Sequence, residues 1–434
     1  MKLTKVGAIA ASAVFVFAAC SPAPGGSAAP GASGSGAVAA QPDVCKDKKG
    51  TSSTEIHVYS SLPRQGSNTE QTNALVESIK EILDGKTVGS FTIKYTDLDD
   101  SSAANNGDWD GAVAQQNATT AANDPDAMVF IGHFNSGAAK LTIPILNAAC
   151  LVMISPANTY PGLTTAVEGV TEPGEPDSYY PNNYRNYSRV ISTDNKQGGA
   201  GAAWAKELGA TKAYVLDDTQ VYGKGLARSW ALSAKALGLE VVSASGNSEG
   251  FDAKATDYAA LAQKIKDSGA DFIYIGSITG QNTGKLWKDL RAAMPDIKIM
   301  SGDGVFEESW YTGTSEAGNG TYLTFGGVGP NEQTSDAGKK WVADYKAAHD
   351  GDDPPVYGIY GAAAAQLALD ALTRAATNDR YEVLKQVFAT KDFASYLGTF
   401  SIKPDGDTTL AEATGYQVVD SWPPKFEKVL AAPE

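Results

Sequence analysis

The residues with the clearest chemical potential stand just after apolar runs. The run AMVFIG (127–132) leads into Phe134, Asn135 and Ser136, and LVMIS (151–155) leads into Ala157 and Thr159. Each segment offers a hydroxyl and backbone N–H groups at the start of a helix or turn, where a carboxylate is held by hydrogen bonds and by the helix dipole. Further on, LDDTQVYG places Tyr222 after a strand and IKIMSGDG places Asp303 after another. A carboxylate at a strand end that faces a cleft could take up an ammonium group. The set Ser136, Thr159 and Asp303 thus predicts a zwitterionic guest. The plainer alternatives are that Ser136 and Thr159 only cap helices and that Asp303 forms a turn before Gly304.

Catalytic constellations are missing from the sequence. It contains no Gly-x-Ser-x-Gly elbow and no HExxH. The segment 280–286 approaches a phosphate loop, but has one residue too few between its glycines and Leu286 where Ser or Thr should hold magnesium, so it reads as a helix start. The pairs Asp99-Asp100 and Asp217-Asp218 read as solvated charges near strand ends. There is no CxxC, and His57, His133 and His349 stand far apart, so no zinc template fits. Neither a metal, a cofactor nor catalysis is expected. Cys45 and Cys150 could form a disulfide or remain two thiols.

The elements that must position these residues follow one repeated phrase: amphipathic helix, glycine stop, short apolar strand. It occurs as AKELGATKAYVLDD, SAKALGLEVVSAS and QKIKDSGADFIYIG, with Gly209, Gly238 and Gly269 where a helix needs a left-handed residue to end. Leu226, Trp230, Ala234 and Leu237 fall at helical spacing. Earlier strands are read at 56–60, 91–98, 127–132 and 151–156, separated by helices, and Pro144 should kink or weaken the helix it falls in. Such alternation implies parallel sheets covered on both faces, an α/β class. Two blocks, roughly 54–190 and 195–318, precede helices near 335–348 and 357–376 and a strand-rich piece at about 396–428. Ligands of open α/β sheets bind beyond the carboxyl ends of the strands, where the residues named above lie.

The chain's ends and charge restrict its setting. Lys2 and Lys5 precede an apolar run from Val6 to Ala19, the layout of an export signal and too short to span a bilayer at the usual ~20 residues. The small residues before Cys20 resemble a lipoprotein signal, in which that cysteine is lipidated; Phe17, where Leu is usual, is a departure, and cleavage of an ordinary signal near Ala19 is the alternative. A Gly/Ala/Ser/Pro stretch follows, and residues 20–50 read as a flexible tether to the membrane. The formal net charge of −15 argues against nucleic acid and anionic lipid as partners.

Taken in order, the phrases at 132–164, 187–202 and 216–227 resemble the amino-acid-binding proteins of branched-chain amino acid ABC transporters, over most of 54–420. The resemblance implies a type I periplasmic binding fold: two doubly wound lobes, 54–192 plus 326–397 and 193–325 plus 398–430, joined by a three-segment hinge. It implies that Ser136 and Thr159 bind the ligand carboxylate, that the Ala157 carbonyl and Asp303 take the ammonium, and that Tyr222 closes over the ligand from the second lobe. Phe134 and Asn135 would line the pocket, and the loop 62–66, with Gln65, would close its side-chain end. Ile278 stands where such proteins often carry tyrosine, and Arg64 puts a charge in the first loop, so the solute's identity stays open among branched-chain amino acids, other amino acids and small amides such as urea. The partners implied are a small amino-acid-like molecule and an ABC permease at the outer face of the membrane. A ligand-sensing receptor domain is the rival, since one pocket serves both roles.

Overall fold

Two sheets, each built mainly of parallel strands, carry the molecule; the computed structural model describes residues 41–431. The first has six strands in the order Thr87–Val88, Phe91–Asp99, Glu55–Leu62, Ala127–Gly132, Val152–Ser155, Tyr187–Arg189. The second runs Lys425–Leu430, Ala413–Gln417, Tyr322–Phe325, Lys298–Ser301, Phe272–Gly276, Lys212–Asp217, Glu240–Val241, with Glu249–Gly250 also paired to Lys212–Asp217. Helices cross over between successive parallel strands, as the alternating sequence predicts. Within these two sheets three pairings are antiparallel, one at the outer edge of the first and two where the chain's last strands join the second. The strand Ala413–Gln417 rejoins its partner Tyr322–Phe325 only after the helices Asp336–Ala348, Gly358–Ala375 and Arg380–Phe388, whereas Lys425–Leu430 follows it by a short loop.

Sequence pattern and burial agree locally. All six residues of Ala127–Gly132 are buried, as a strand covered on both faces requires. Gly209, Gly238 and Gly269 end their helices at φ of 91°, 86° and 71°, in the left-handed region that side chains disfavour. On the helix Val221–Ala236, packed against the second sheet, Trp230 lies fully buried, its ring stacked on Tyr274 at 4.7 Å and on Phe272 at 6.1 Å. A helix not read from the sequence, Arg380–Phe388, sends Arg380 under the first sheet. Its guanidinium donates to the carbonyls of Ala127, Ala122 and Ala149, at 2.9, 3.2 and 2.9 Å.

The segment 41–50, expected as the end of a tether, is instead fixed to the body. Gly50 N donates to Asn378 O at 2.7 Å, the backbone of Lys49 pairs antiparallel with that of Asp379, and Cys45 is fully buried and disulfide-bonded to Cys150. Composition suggests a tether here, but a covalent bond and backbone pairing outweigh composition. The signal peptide, Cys20 and the rest of the tether lie outside the described residues. No helix among the described residues is long and apolar enough to cross a membrane.

Candidate functional site

The two sheets face each other across a cleft, and a small cavity of about 20 Å³ lies between the carboxyl ends of their strands. From the first sheet come Phe134, Asn135, Ser136 and Ala157; from the second come Tyr222, Ile278, Asp303 and Gly304; Tyr357 closes the ring. Seven of these nine are residues singled out from the sequence.

Ser136 opens the helix Ser136–Ala148, whose N-cap, Asn135, makes no side-chain cap bond. Ala138 N donates to Asn135 O at 3.1 Å, so of the first turn the Ser136 and Gly137 N–H groups are the ones without a partner inside the helix and available to a carboxylate. The Asn135 Oδ1 is buried and unpaired, while the Ser136 hydroxyl accepts from Tyr160 N at 3.4 Å. The neighbouring loop is stitched to it: Asn158 Nδ2 donates to Phe134 O at 2.9 Å, and Ser155 Oγ donates to His133 O at 3.0 Å. Thr159 sits behind the cavity wall beside Gly326, buried, its hydroxyl unpaired.

Arg189 fixes that second loop from beneath. Fully buried, it donates to Asn158 O at 3.0 Å, Tyr160 O at 2.9 Å, Thr164 Oγ1 at 2.6 Å and Asp407 Oδ1 at 2.8 Å. Burial alone would raise the Asp407 pKa, but the charges of Arg189 and Lys403 and its hydrogen bonds hold it below the ordinary carboxylate value. The stability this confers is present above the ordinary carboxylate range and is lost as pH falls through the depressed value. Arg189→Ala strands the Asp407 charge and should lower stability by about 3–5 kcal/mol at neutral pH, read by urea unfolding. An unchanged urea midpoint would show that the pair contributes nothing.

On the opposite wall Asp303 is fully engaged. Its Oδ1 accepts from Gln197 Nε2 at 2.6 Å and from the Tyr222 hydroxyl at 3.0 Å, and its Oδ2 accepts from the Tyr357 hydroxyl. Burial raises the Asp303 pKa, and the bonds from Tyr357, Gln197 and Tyr222 only partly offset it. Asp194, one helical turn before Gln197, is fully buried with both oxygens unpaired; burial and then the nearby Asp303 charge push its carboxyl well above the usual range. Tyr357 also packs edge-on against Phe134 at 5.0 Å and Phe325 at 5.1 Å, so it ties the aromatic floor to the acid.

Gln65 departs from expectation. It stands outside the cavity, with its Nε2 donating to Asp99 Oδ2 at 2.9 Å, because the loop 62–66 turns toward the 99–108 segment, with Gly66 against Gly107. Arg64 pairs with Asp97 at 3.1 Å and brings no charge to the cavity. Gln197 and Tyr357 were not singled out. Gln197 lies inside the helix Asp194–Glu207, away from any strand end. Tyr357 precedes a helix, Gly358–Ala375, where a search of strand ends does not look.

The periplasmic binding protein family matches residues 66–421. This chain belongs to that family. A Leu/Ile/Val-binding protein homolog 1 of Brucella suis is 28% identical over 335 residues, 77% of this chain and 81% of the relative. Among solved structures, a leucine-binding protein of Thermotoga maritima superposes with a TM-score of 0.74 at 24% identity, covering 87% of this chain and 99% of its own. An ABC transporter solute-binding protein of Rhodopseudomonas palustris, in complex with benzoate, gives 0.68 at 20% identity over 87% of this chain and 97% of its own. At such identities the superpositions establish the periplasmic-binding fold, and membership of the family implies a place outside the cytoplasm.

Proposed function

We propose that the chain is the solute-binding component of an ABC importer and captures an amino acid, branched-chain or related, in the cavity between its sheets. The observation that carries this reading is the convergence of Ser136 and Ala157 from one side with Tyr222 and Asp303 from the other around a single space. The ligand carboxylate would rest on the Ser136 hydroxyl and the first-turn amides, with Thr159 behind. Its ammonium would sit against Asp303 and the Ala157 carbonyl, and its side chain against Phe134 and Ile278. Lobes of 54–192 plus 326–397 and 193–325 plus 398–430 would close on it, since a ligand touching both walls stabilises only the closed arrangement. Cys20 would carry the lipid that holds the protein at the outer membrane face beside its permease.

A second reading rests on Asp303. Its carboxylate already has three protein donors, and Phe134 and Tyr357 flank the space, which favours an aromatic monocarboxylate without an ammonium group. Calorimetry of residues 41–434 against the amino acids, benzoate and simple amides decides between them. An aliphatic amino acid binding with Kd of about 1 μM or tighter supports the first; benzoate alone binding supports the second; binding of neither class rejects both.

A further inference from the structure

A second set of contacts closes the cleft away from the cavity. The turn Gly66–Asn68 and the helix Thr69–Leu83, beside the first sheet, meet residues 306–309, beside the second. Gln71 Nε2 donates to Phe306 O at 3.0 Å, Ser309 Oγ to Ser67 O at 2.9 Å, and Glu308 N to Glu70 Oε2 at 3.1 Å. At the centre, Asn68 Nδ2 donates to Glu307 Oε1 at 3.0 Å. Both side chains are about 1% exposed.

That central pair is half-satisfied as drawn. Asn68 Oδ1 and Glu307 Oε2 are both buried and without partners. An amide presents one acceptor and two donors, and an ionised carboxylate presents acceptors only, so the two leftover oxygens repel. A neutral carboxyl has an O–H, which can donate to the amide oxygen while its carbonyl accepts from the amide nitrogen. The surroundings favour the neutral form. The charged groups facing Glu307 are the acids Glu70 and Asp108, Tyr357 faces it from the helix beyond, and Asp108 is itself held by Ser67 at 2.7 Å. Burial, with Glu70 and Asp108 adding to it, raises the Glu307 carboxyl well above the ordinary range, and the hydrogen bond from Asn68 offsets only part of this.

We propose that Asn68 and Glu307 form a proton-dependent latch between the lobes, an acid–amide pair that is complete only when Glu307 is protonated. Opening the cleft returns the carboxyl to water and to its ordinary acidity. The closed form therefore binds a proton that the open form releases. Its extra stability is complete below the ordinary carboxylate value and is lost as pH rises through the raised closed-form value. Between the ordinary and the raised value the closed-to-open ratio should fall about tenfold per pH unit, and above the raised value it should level off.

The test compares the full chain with Glu307→Gln, whose amide can pair with Asn68 at both ends without a proton. Infrared spectra, which need no solute, should show a neutral-carboxyl carbonyl band in the wild type above the ordinary carboxylate range, absent from Glu307→Gln. Small-angle scattering, without solute and with L-leucine as probe, should show the wild type opening as pH rises and Glu307→Gln not doing so. If Glu307→Gln fails to fold, the wild type itself decides, because its neutral-carboxyl band and its closed form should be lost over the same pH range. A wild type with no such band, or scattering profiles that coincide between the wild type and Glu307→Gln, overturns the latch. Failure of L-leucine to bind bears only on the solute, because the infrared and solute-free arms do not use it.

Discussion

Asp303→Ala should weaken amino-acid binding about 100-fold in calorimetry, about 2.7 kcal/mol. A charge-assisted hydrogen bond contributes about 1.5–3 kcal/mol, and this substitution also removes the acceptor shared by Gln197, Tyr222 and Tyr357, leaving three buried donors without it. Asp303→Asn keeps the shape and removes the charge, so it separates loss of ammonium pairing from loss of packing. A carboxylate guest without an amine should lose far less. Binding of an ammonium needs Asp303 ionised. Because burial raises its pKa, affinity for a zwitterion should begin to fall at a higher pH than an ordinary carboxylate would give, and fall further as the solution is acidified. This sign is opposite to that of the Glu307 latch, so affinity and closure measured across pH distinguish the two groups. An Asp303→Ala protein that holds its amino acid as tightly as the wild type would exclude Asp303 as the ammonium partner.

Replacing both Cys45 and Cys150 by alanine should lower stability by about 3–5 kcal/mol, read from the urea unfolding midpoint. The bond joins residues 105 apart in sequence, and a loop of that size removes about 4.7 kcal/mol of chain entropy from the unfolded state in the simple loop-closure picture. Affinity for the solute should barely change. Cys150 follows the far end of Ser136–Ala148, about 18 Å from Ser136 at the rise of an α-helix. An unchanged midpoint would mean that the backbone pairing of 49–50 with 378–379 holds the segment without the bond. A large loss of affinity would mean that the staple reaches the cavity.

What could be read from the sequence is what is coded locally. The strand Ala127–Gly132 and the helix starting at Ser136 follow from an apolar run and a capping position, and the glycine stops from the need for positive φ. Because the cavity of an α/β fold lies at strand ends, the same local signals also pointed to Phe134, Asn135, Ser136, Ala157, Tyr222, Ile278 and Asp303, with the family likeness supplying part of the set.

Tertiary structure decided the contacts made between residues remote in sequence. Tyr357 reaches Asp303 across 54 residues, and Asn68 reaches Glu307 across 239. Gln65 turned to Asp99 instead of the cavity, and 41–50 was fixed by Cys150 and Asn378 despite a sequence that reads as tether. Periodicity and capping report how each element is built, because those energies lie within a few residues of one another. Which carboxylate is buried, and which donor meets it, depends on how two sheets approach across a cleft, and no short-range pattern carries that information.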